Sequence, residues 1–221
     1  MTALSAWASK LDNPTISVLP HDYLRPQQEP FVKQDELAFQ LPQLEAASAN
    51  SNSSAYEIVL AAWASLIYRL TGDDDIVLLV RDGKVIRFTI QPTWSFEELC
   101  KTVNEELAAV ASLDFVDFDE LSQHIKTQNE LEVQPQLFRL GFVTEPGFSL
   151  ATYKSSILDV ALTLTGNQAQ IVYNSLLYSK DRIAILADQI TQFVSQVLEN
   201  PQDIITKVSL ITSSSESIIP D

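Results

Sequence analysis

The stretch that decides the fold is SAYEIVLAAWASLIYRLTGDDDIVLLV, residues 54–80. Ser54 can cap a helix, because its hydroxyl can accept a hydrogen bond from the amide of Glu57 while that glutamate reaches back to the cap amide. Gly72 is suited to end the helix, since glycine adopts left-handed backbone angles without steric cost. The apolar run 76–80 then predicts a buried strand. The stretch therefore predicts a helix over 55–71, a tight turn and a core strand.

Further helices and strands are predicted on both sides of this unit. The other helices are expected at 3–11, from the Ser95–Glu98 capping box to about 113, at 117–128 and at 179–199. The other strands are expected at the edge of a sheet over 32–41, in a hairpin over 80–90 that turns at Asp82–Gly83, at 134–143, and in a second hairpin formed by 158–165 and 169–174. This alternation predicts an α/β (α+β) fold, with helices flanking a mixed sheet.

An extended arm is predicted over residues 13–30, where several prolines exclude regular helix. We therefore divide the chain into an N-terminal helix and arm over 1–31, a main lobe over 32–200 and a linker over 201–221. Both the arm and the linker are apolar at intervals, which is typical of segments that lie against another surface.

Composition excludes several functions. The chain of 221 residues has a net charge of −15, from 14 basic and 29 acidic residues, so neither nucleic acid nor an anionic membrane is an expected partner. Cys100 is the one cysteine, which excludes an internal disulfide and favours a reducing, cytoplasmic location. The N-terminus lacks the pattern of a signal peptide, and no apolar run approaches the ~20 residues that span a bilayer.

Residues that could support catalysis or bind a cofactor are few. His21 and His124 are the two histidines; they lie far apart in sequence and outside any motif, and we interpret both as structural. The run Asp73–Asp75 could suggest a metal site, but its place between a helix and a strand favours a polar turn. Cys100 is at a helical core spacing, which favours a packed thiol over a nucleophile.

The glycines and tryptophans also indicate structural roles. The five glycines are isolated from one another, so neither a phosphate-binding loop nor a dinucleotide fingerprint can be written with them. The sequence therefore predicts no ATP or NADPH site in this chain. The tryptophans Trp7, Trp63 and Trp94 lie at helix-packing positions, which favours the core over a binding platform.

Several motifs resemble the C-terminal lobe of the condensation domains of nonribosomal peptide synthetases. The helix ends in aromatic-Arg-x-Thr-Gly at 68–72 and is followed by Asp-Asp-Ile-Val at 74–77. Leu19-Pro20 and Arg25-Pro26 match the family's lobe boundary, and Asp159 matches a strand residue that we interpret as structural. The resemblance implies half of a chloramphenicol acetyltransferase-like, condensation-domain fold.

That family carries its catalytic His-His-x-x-x-Asp-Gly in the other lobe, and the sequence contains no such motif. The family also has a much longer segment in place of the hairpin over 80–90, including a crossing that floors the substrate tunnel. Both departures imply a lobe without the condensation chemistry.

A closer resemblance covers essentially the whole chain. It is to the N-terminal region of the fungal L-2-aminoadipate reductases of lysine biosynthesis, and it rests on residues 10–30, 70–77, 90–96, 173–179 and 205–212. In that family the region precedes an adenylation domain, a phosphopantetheine carrier domain and a reductase domain. ATP with Mg²⁺, phosphopantetheine and NADPH would serve those domains and not this chain, whose residues 201–221 would lead toward the adenylation domain.

Two functions remain open from the sequence. The first is a non-catalytic scaffold that docks on the adenylation domain of the same polypeptide. Its candidate interface residues are Leu19, Tyr23, Ile205, Val208 and Leu210. The second is a vestigial acyltransferase or a regulatory lobe that recognises the carrier arm or an effector such as lysine. Self-association of the chain is compatible with both.

Overall fold

A computed structural model describes residues 2–42, 44, 53–144 and 148–211. Its helices are α1 (Ala3–Lys10), α2 (Ala55–Thr71), α3 (Phe96–Ala111), α4 (Phe118–Gln128) and α5 (Lys180–Glu199). Its strands are β1 (Gln34–Gln40), β2 (Asp75–Val80), β3 (Lys84–Thr89), β4 (Leu140–Val143), β5 (Val160–Thr165) and β6 (Gln168–Asn174).

The strands form one mixed sheet in the order β1-β6-β5-β4-β2-β3. The inner strands β2, β4 and β5 run parallel, whereas β1 and β6, β5 and β6, and β2 and β3 pair antiparallel. Every residue of the central strand β4 is buried, as expected of a parallel strand covered on both faces. The predicted mixed sheet with flanking helices is confirmed.

Helix α2 follows its local signals closely. Ser54 and Glu57 form the capping box, and Gly72 ends the helix with a φ of 80°. The helix is buried at every position from Ile58 to Ile67, so it cannot be amphipathic; it packs on α3, α5 and β2 instead. α2 is therefore the central helix of the helical layer.

Close packing of the sheet depends on Gly141 in β4. A Cβ at this position would lie 3.1 Å from Leu158 Cδ1 and 3.3 Å from the carbonyl oxygen of Leu79 in β2. The backbone oxygen cannot move without disturbing the β2–β4 pairing. Glycine therefore lets the short strand fit between its two parallel neighbours.

A set of aromatic side chains within the core joins α1 to α4. The ring of Phe118 meets the rings of Trp7, Phe138 and Tyr153 edge to face, with centroids 5.1–5.8 Å apart. The indole N–H of Trp7 also donates to the carbonyl of Asp114 at 2.9 Å. This aromatic cluster connects the first helix to residues more than a hundred positions away.

Two sequence predictions differ from the structure or lie outside it. The strand predicted over 134–143 is wrong for 134–139, because only β4 pairs. Side chains replace the ladder there: Ser156 Oγ accepts from the amide of Leu137, and the Gln136 amide donates to the carbonyls of Phe138 and Ile157. Most of the polar loop predicted over 48–54 lies outside the described residues.

At the β2–β3 turn, Asp82 and Gly83 both have positive φ, as the predicted type I′ turn requires.

Replacing Phe118 with alanine should lower the free energy of unfolding by about 3–5 kcal/mol, because it leaves a cavity among three other aromatic rings. Phe115 is a matched control, since its side chain is 62% exposed and its truncation should cost less than about 1 kcal/mol. Urea denaturation of both variants measures the difference. Equal losses would contradict the role given to the aromatic cluster.

Candidate interaction site formed by the arm and the tail

The arm is held by a buried ion cluster around Asp159. This carboxylate is fully buried and accepts two hydrogen bonds from Arg25 of the arm, with Nη1–Oδ1 and Nη2–Oδ2 distances of 2.8 and 2.6 Å. Arg139 lies on the other side, with Nη1 3.5 Å from Oδ1. The hydrogen bonds to Asp159 raise the pKa of Arg25, whereas burial lowers the pKa of Arg139. The bidentate Arg25–Asp159 pair is thus the main anchor of the arm.

A second anchor joins the arm to the start of α5. Asp22 accepts hydrogen bonds from the amide and hydroxyl of Ser179, at 2.9 and 2.8 Å, and from Arg182 at 2.8 Å. Burial would raise the pKa of Asp22, but the bonds from Arg182 and Ser179 outweigh it and lower that pKa. A carboxylate at a helix N-terminus also interacts favourably with the helix dipole.

The two anchors leave apolar side chains of this region facing solvent. Leu19 is buried, but the side chains of Tyr23, Leu24 and Phe31 are 51%, 92% and 43% exposed. Leu24 lies directly before the anchored Arg25, so its backbone is held although its side chain touches little. We call Tyr23, Leu24 and Phe31 the arm patch.

The tail, residues 201–211, is built into the same core. Ile205 is fully buried and Val208 is 4% exposed. The amide of Ile205 donates to the carbonyl of Trp94, and the amide of Phe96 donates to the carbonyl of Asp203. The tail therefore lies along the start of α3 without forming a helix or a paired strand of its own.

The five interface residues predicted from the sequence lie in different environments. The core of the chain itself buries Leu19, Ile205 and Val208, so in this conformation they offer no surface to a partner. Leu210 is partly buried against that core, and Tyr23 is half-exposed. Leu24 and Phe31, which the sequence did not single out, are also exposed; Leu24 directly precedes Arg25, and Phe31 follows the last proline of the arm.

The residues considered for catalysis are dispersed. The ring of His21 meets Tyr178 edge to face at 6.4 Å, and His124 lies on α4 with an Nε2 that is buried and has no hydrogen-bond partner in the described part of the chain. Burial raises the pKa of the Cys100 thiol to about 12, which makes thiolate chemistry unfavourable. Among the residues that the structure describes, no three His, Cys, Asp or Glu side chains are grouped so that they could hold a metal ion.

Asp75, the last residue of the aspartate run, has a structural role. Asp75 accepts from Nε and Nη2 of Arg87, both at 2.9 Å, and from the amide of Thr15 at the same distance. Burial would raise the pKa of Asp75, but these bonds lower it. The pair joins β2 to β3 and to the start of the arm.

Surface clefts in the described part of the chain include a larger and a smaller one. The larger, of about 330 Å³, is polar and lies between α1 and α4; Ser9, Asp12 and Gln128 are among its lining residues. The smaller, of about 80 Å³, lies between the arm and α5 and is lined by Leu19, Leu70 and Ile185, among others. Neither cleft gathers charged groups that would define a catalytic centre.

Comparison with known proteins supports the sequence resemblance. No family model matches the chain. It is 51% identical over 226 residues to L-2-aminoadipate reductase of Saccharomyces cerevisiae, an alignment that covers all of this chain and 16% of that protein. It is 50% identical over 218 residues to the L-2-aminoadipate reductase large subunit of Candida glabrata, covering 98% of this chain and 15% of that subunit. The chain thus spans about one sixth of the length of these curated relatives, and the resemblance to these reductases is confirmed.

Solved structures establish the fold. A four-domain nonribosomal peptide synthetase bound to AMP and glycine matches with a TM-score of 0.77 and 14% identity, covering 97% of this chain and 20% of that one. The first condensation domain of the calcium-dependent antibiotic synthetase matches with a TM-score of 0.70 and 18% identity, covering 95% of this chain and 53% of that one. The chain therefore has the fold of about half a condensation domain, as predicted. No helix in the described ranges is both long and apolar enough to cross a membrane.

Replacing Asp159 with asparagine should lower the free energy of unfolding by about 2–3 kcal/mol, because Arg25 and Arg139, whose side chains are 33% and 20% exposed, lose the carboxylate that they share. Glu105→Gln is the matched control. Its pair with Lys101 is 3.9 Å long and solvent-exposed, so the loss should stay below about 0.5 kcal/mol. Chemical denaturation gives both values, and similar losses would show that the cluster does not anchor the arm.

Proposed function

We propose that this chain is a non-catalytic, condensation-like region of an L-2-aminoadipate reductase of lysine biosynthesis, and that it serves as a docking platform for the adenylation domain of the same polypeptide. The observation that carries this proposal is the 51% identity to such a reductase across the whole chain. Because the chain spans 16% of that reductase, the remaining length leaves room for the adenylation, carrier and reductase domains.

The arm patch supports docking as the role of this region. Leu24 is 92% exposed, yet it lies between the anchors at Asp22 and Arg25. A side chain whose backbone is already held loses less conformational freedom on binding than one on a mobile loop. Burying one such leucine contributes roughly 1.5–3 kcal/mol, so a small patch of this kind can make a measurable contribution to an interface within one polypeptide.

The chemistry of the reductase is assigned to its other domains. ATP with Mg²⁺, phosphopantetheine and NADPH would be bound there, since isolated glycines give this chain no phosphate-binding loop. Neither histidine lies in the His-His-x-x-x-Asp-Gly motif of the condensation domains. The fold of a condensation lobe would then be retained for packing against a neighbour.

The chain alone should bind neither ATP nor NADPH and should not transfer a carrier-bound aminoacyl group. Isothermal titration calorimetry with each nucleotide tests the first statement, and micromolar saturable binding would contradict it. An assay with an aminoacylated carrier protein tests the second. Turnover that disappears in His21→Ala or His124→Ala would assign catalysis to this chain.

Replacing Leu24 with glutamate should weaken binding of the separately produced adenylation domain about tenfold or more, because it removes a leucine that the proposed interface would bury and places a charge there. The stability of the chain itself should change by less than about 0.5 kcal/mol, since the side chain is exposed. Val133→Glu is the matched control, because Val133 is 74% exposed and lies outside the arm. Calorimetry measures affinity, and chemical denaturation measures stability.

Three outcomes distinguish the alternatives for this surface. Equal affinities of the Leu24→Glu and Val133→Glu variants for the adenylation domain would contradict docking through the arm patch. A dimer that Leu24→Glu converts to a monomer in sedimentation would instead assign the patch to self-association. Saturable binding of free lysine, with no affinity for the adenylation domain, would favour the regulatory lobe.

A further inference from the structure

Arg69 in the last turn of α2 contacts the tail through two backbone carbonyls. Its Nη1 donates to the carbonyl oxygens of Ile205 at 2.9 Å and Val208 at 2.8 Å. In the described part of the chain Arg69 forms no ion pair with a carboxylate. The location at a helix C-terminus favours the positive charge, because the carbonyl ends of the helix dipole point toward it.

Gln196 in α5 contacts the next part of the tail. Its side-chain Nε2 donates to the carbonyl of Ser209 at 2.9 Å, and its Oε1 accepts from the amide of the same residue at 3.1 Å. One side chain thus satisfies both backbone groups of Ser209, as a neighbouring strand would.

These hydrogen bonds restrict the course of the tail in a way that burial of its apolar side chains does not. Burial of Ile205 and Val208 holds the tail against the core, but the hydrophobic effect itself has no preferred direction. Hydrogen bonds are directional and weaken steeply when donor and acceptor are misaligned. Since α2 and α5 pack on each other, Arg69 and Gln196 hold the tail against one rigid pair of helices.

We propose that Arg69 and Gln196 are positioning residues that fix the course of residues 205–209 and thereby set the place and direction of the polypeptide at Ile211. This inference rests on the proposed function, because its consequence is a defined geometry between this lobe and an adenylation domain that follows it. The aromatic-Arg-x-Thr-Gly motif then has a physical reason: its arginine holds the tail, and its glycine ends the helix that carries the arginine.

Amide hydrogen exchange of the chain alone tests the two contacts. Arg69→Met should accelerate exchange of the Ser209 amide about tenfold or more, although Arg69 does not touch that amide, because the tail loses its fixed course. Arg69→Lys should have an intermediate effect, since lysine keeps the charge but not the planar geometry of the donors. Arg81→Met is the matched control, because the same substitution is made at an arginine that lies over the ring of Tyr56 and not at the tail, with its Cζ 4.3 Å from the ring centroid. Unchanged exchange at Ser209 in Arg69→Met would overturn the proposal.

Distance measurement in a full-length reductase tests the consequence. One spin label is placed at position 101, whose lysine side chain is 78% exposed, and a second on the adenylation domain. The neighbouring Cys100 is buried and should not react with the label. We expect a narrow distance distribution that broadens at least twofold in Arg69→Met and in Gln196→Ala but not in Arg81→Met.

The results separate this inference from the function on which it rests. Faster exchange at Ser209 without broadening in the full-length enzyme would show that the tail does not control the geometry, and would overturn the proposal. A distribution that is already broad in the unsubstituted enzyme would contradict docking itself, while the exchange data would still decide whether Arg69 fixes the tail.

Discussion

The arrangement of the chain depends on the buried carboxylate of Asp159. A buried charge is costly by several kcal/mol unless it is paired and hydrogen-bonded. The carboxylate of Asp159 pairs with Arg25 of the arm and with Arg139, which directly precedes β4. The backbone amide of Asp159 donates to the carbonyl of Arg139, and its carbonyl accepts from the amide of Asn174 at the end of β6. One residue therefore joins the arm to three strands. Removing the arm would take away the bidentate partner of Asp159 and leave the buried carboxylate only the longer contact to Arg139.

This constraint explains why segments without regular secondary structure are integral to the fold. The arm is held by ion pairs at Asp22 and Arg25, whereas the tail is held by buried Ile205 and Val208 and by side chains that bind its carbonyls. Helix α5 connects the two, because Arg182 contacts the arm and Gln196 contacts the tail. These residues are 14 positions apart, which places the two attachment points about 21 Å from one another along the helix.

The parts of the fold that could be predicted from the sequence are those that depend on residues close together in the chain. The capping boxes at Ser54 and Ser95, the glycine after α2 and the turn at Asp82–Gly83 each depend on residues within a few positions of one another. The placement of β4 between β2 and β5 has no such signal, because the partners come from distant parts of the chain. The same holds for Arg25 and Asp159, which are 134 positions apart. For the candidate site, the arm and tail were predicted as segments, but which of their apolar residues face inward depends on these long-range contacts.

The motif residues also show why the likeness to condensation domains extends to the fold. Arg25 and Asp159 form the buried ion pair, Gly72 ends α2, and Arg69 holds the tail. Each of these positions has a packing or hydrogen-bonding role within this chain, and none of these roles involves a reacting group. Fold and function are separable in this way, because a fold can persist through its packing constraints while the chemistry belongs to specific residues elsewhere. A lobe that keeps these residues without the catalytic motif therefore retains the contacts that hold its fold together.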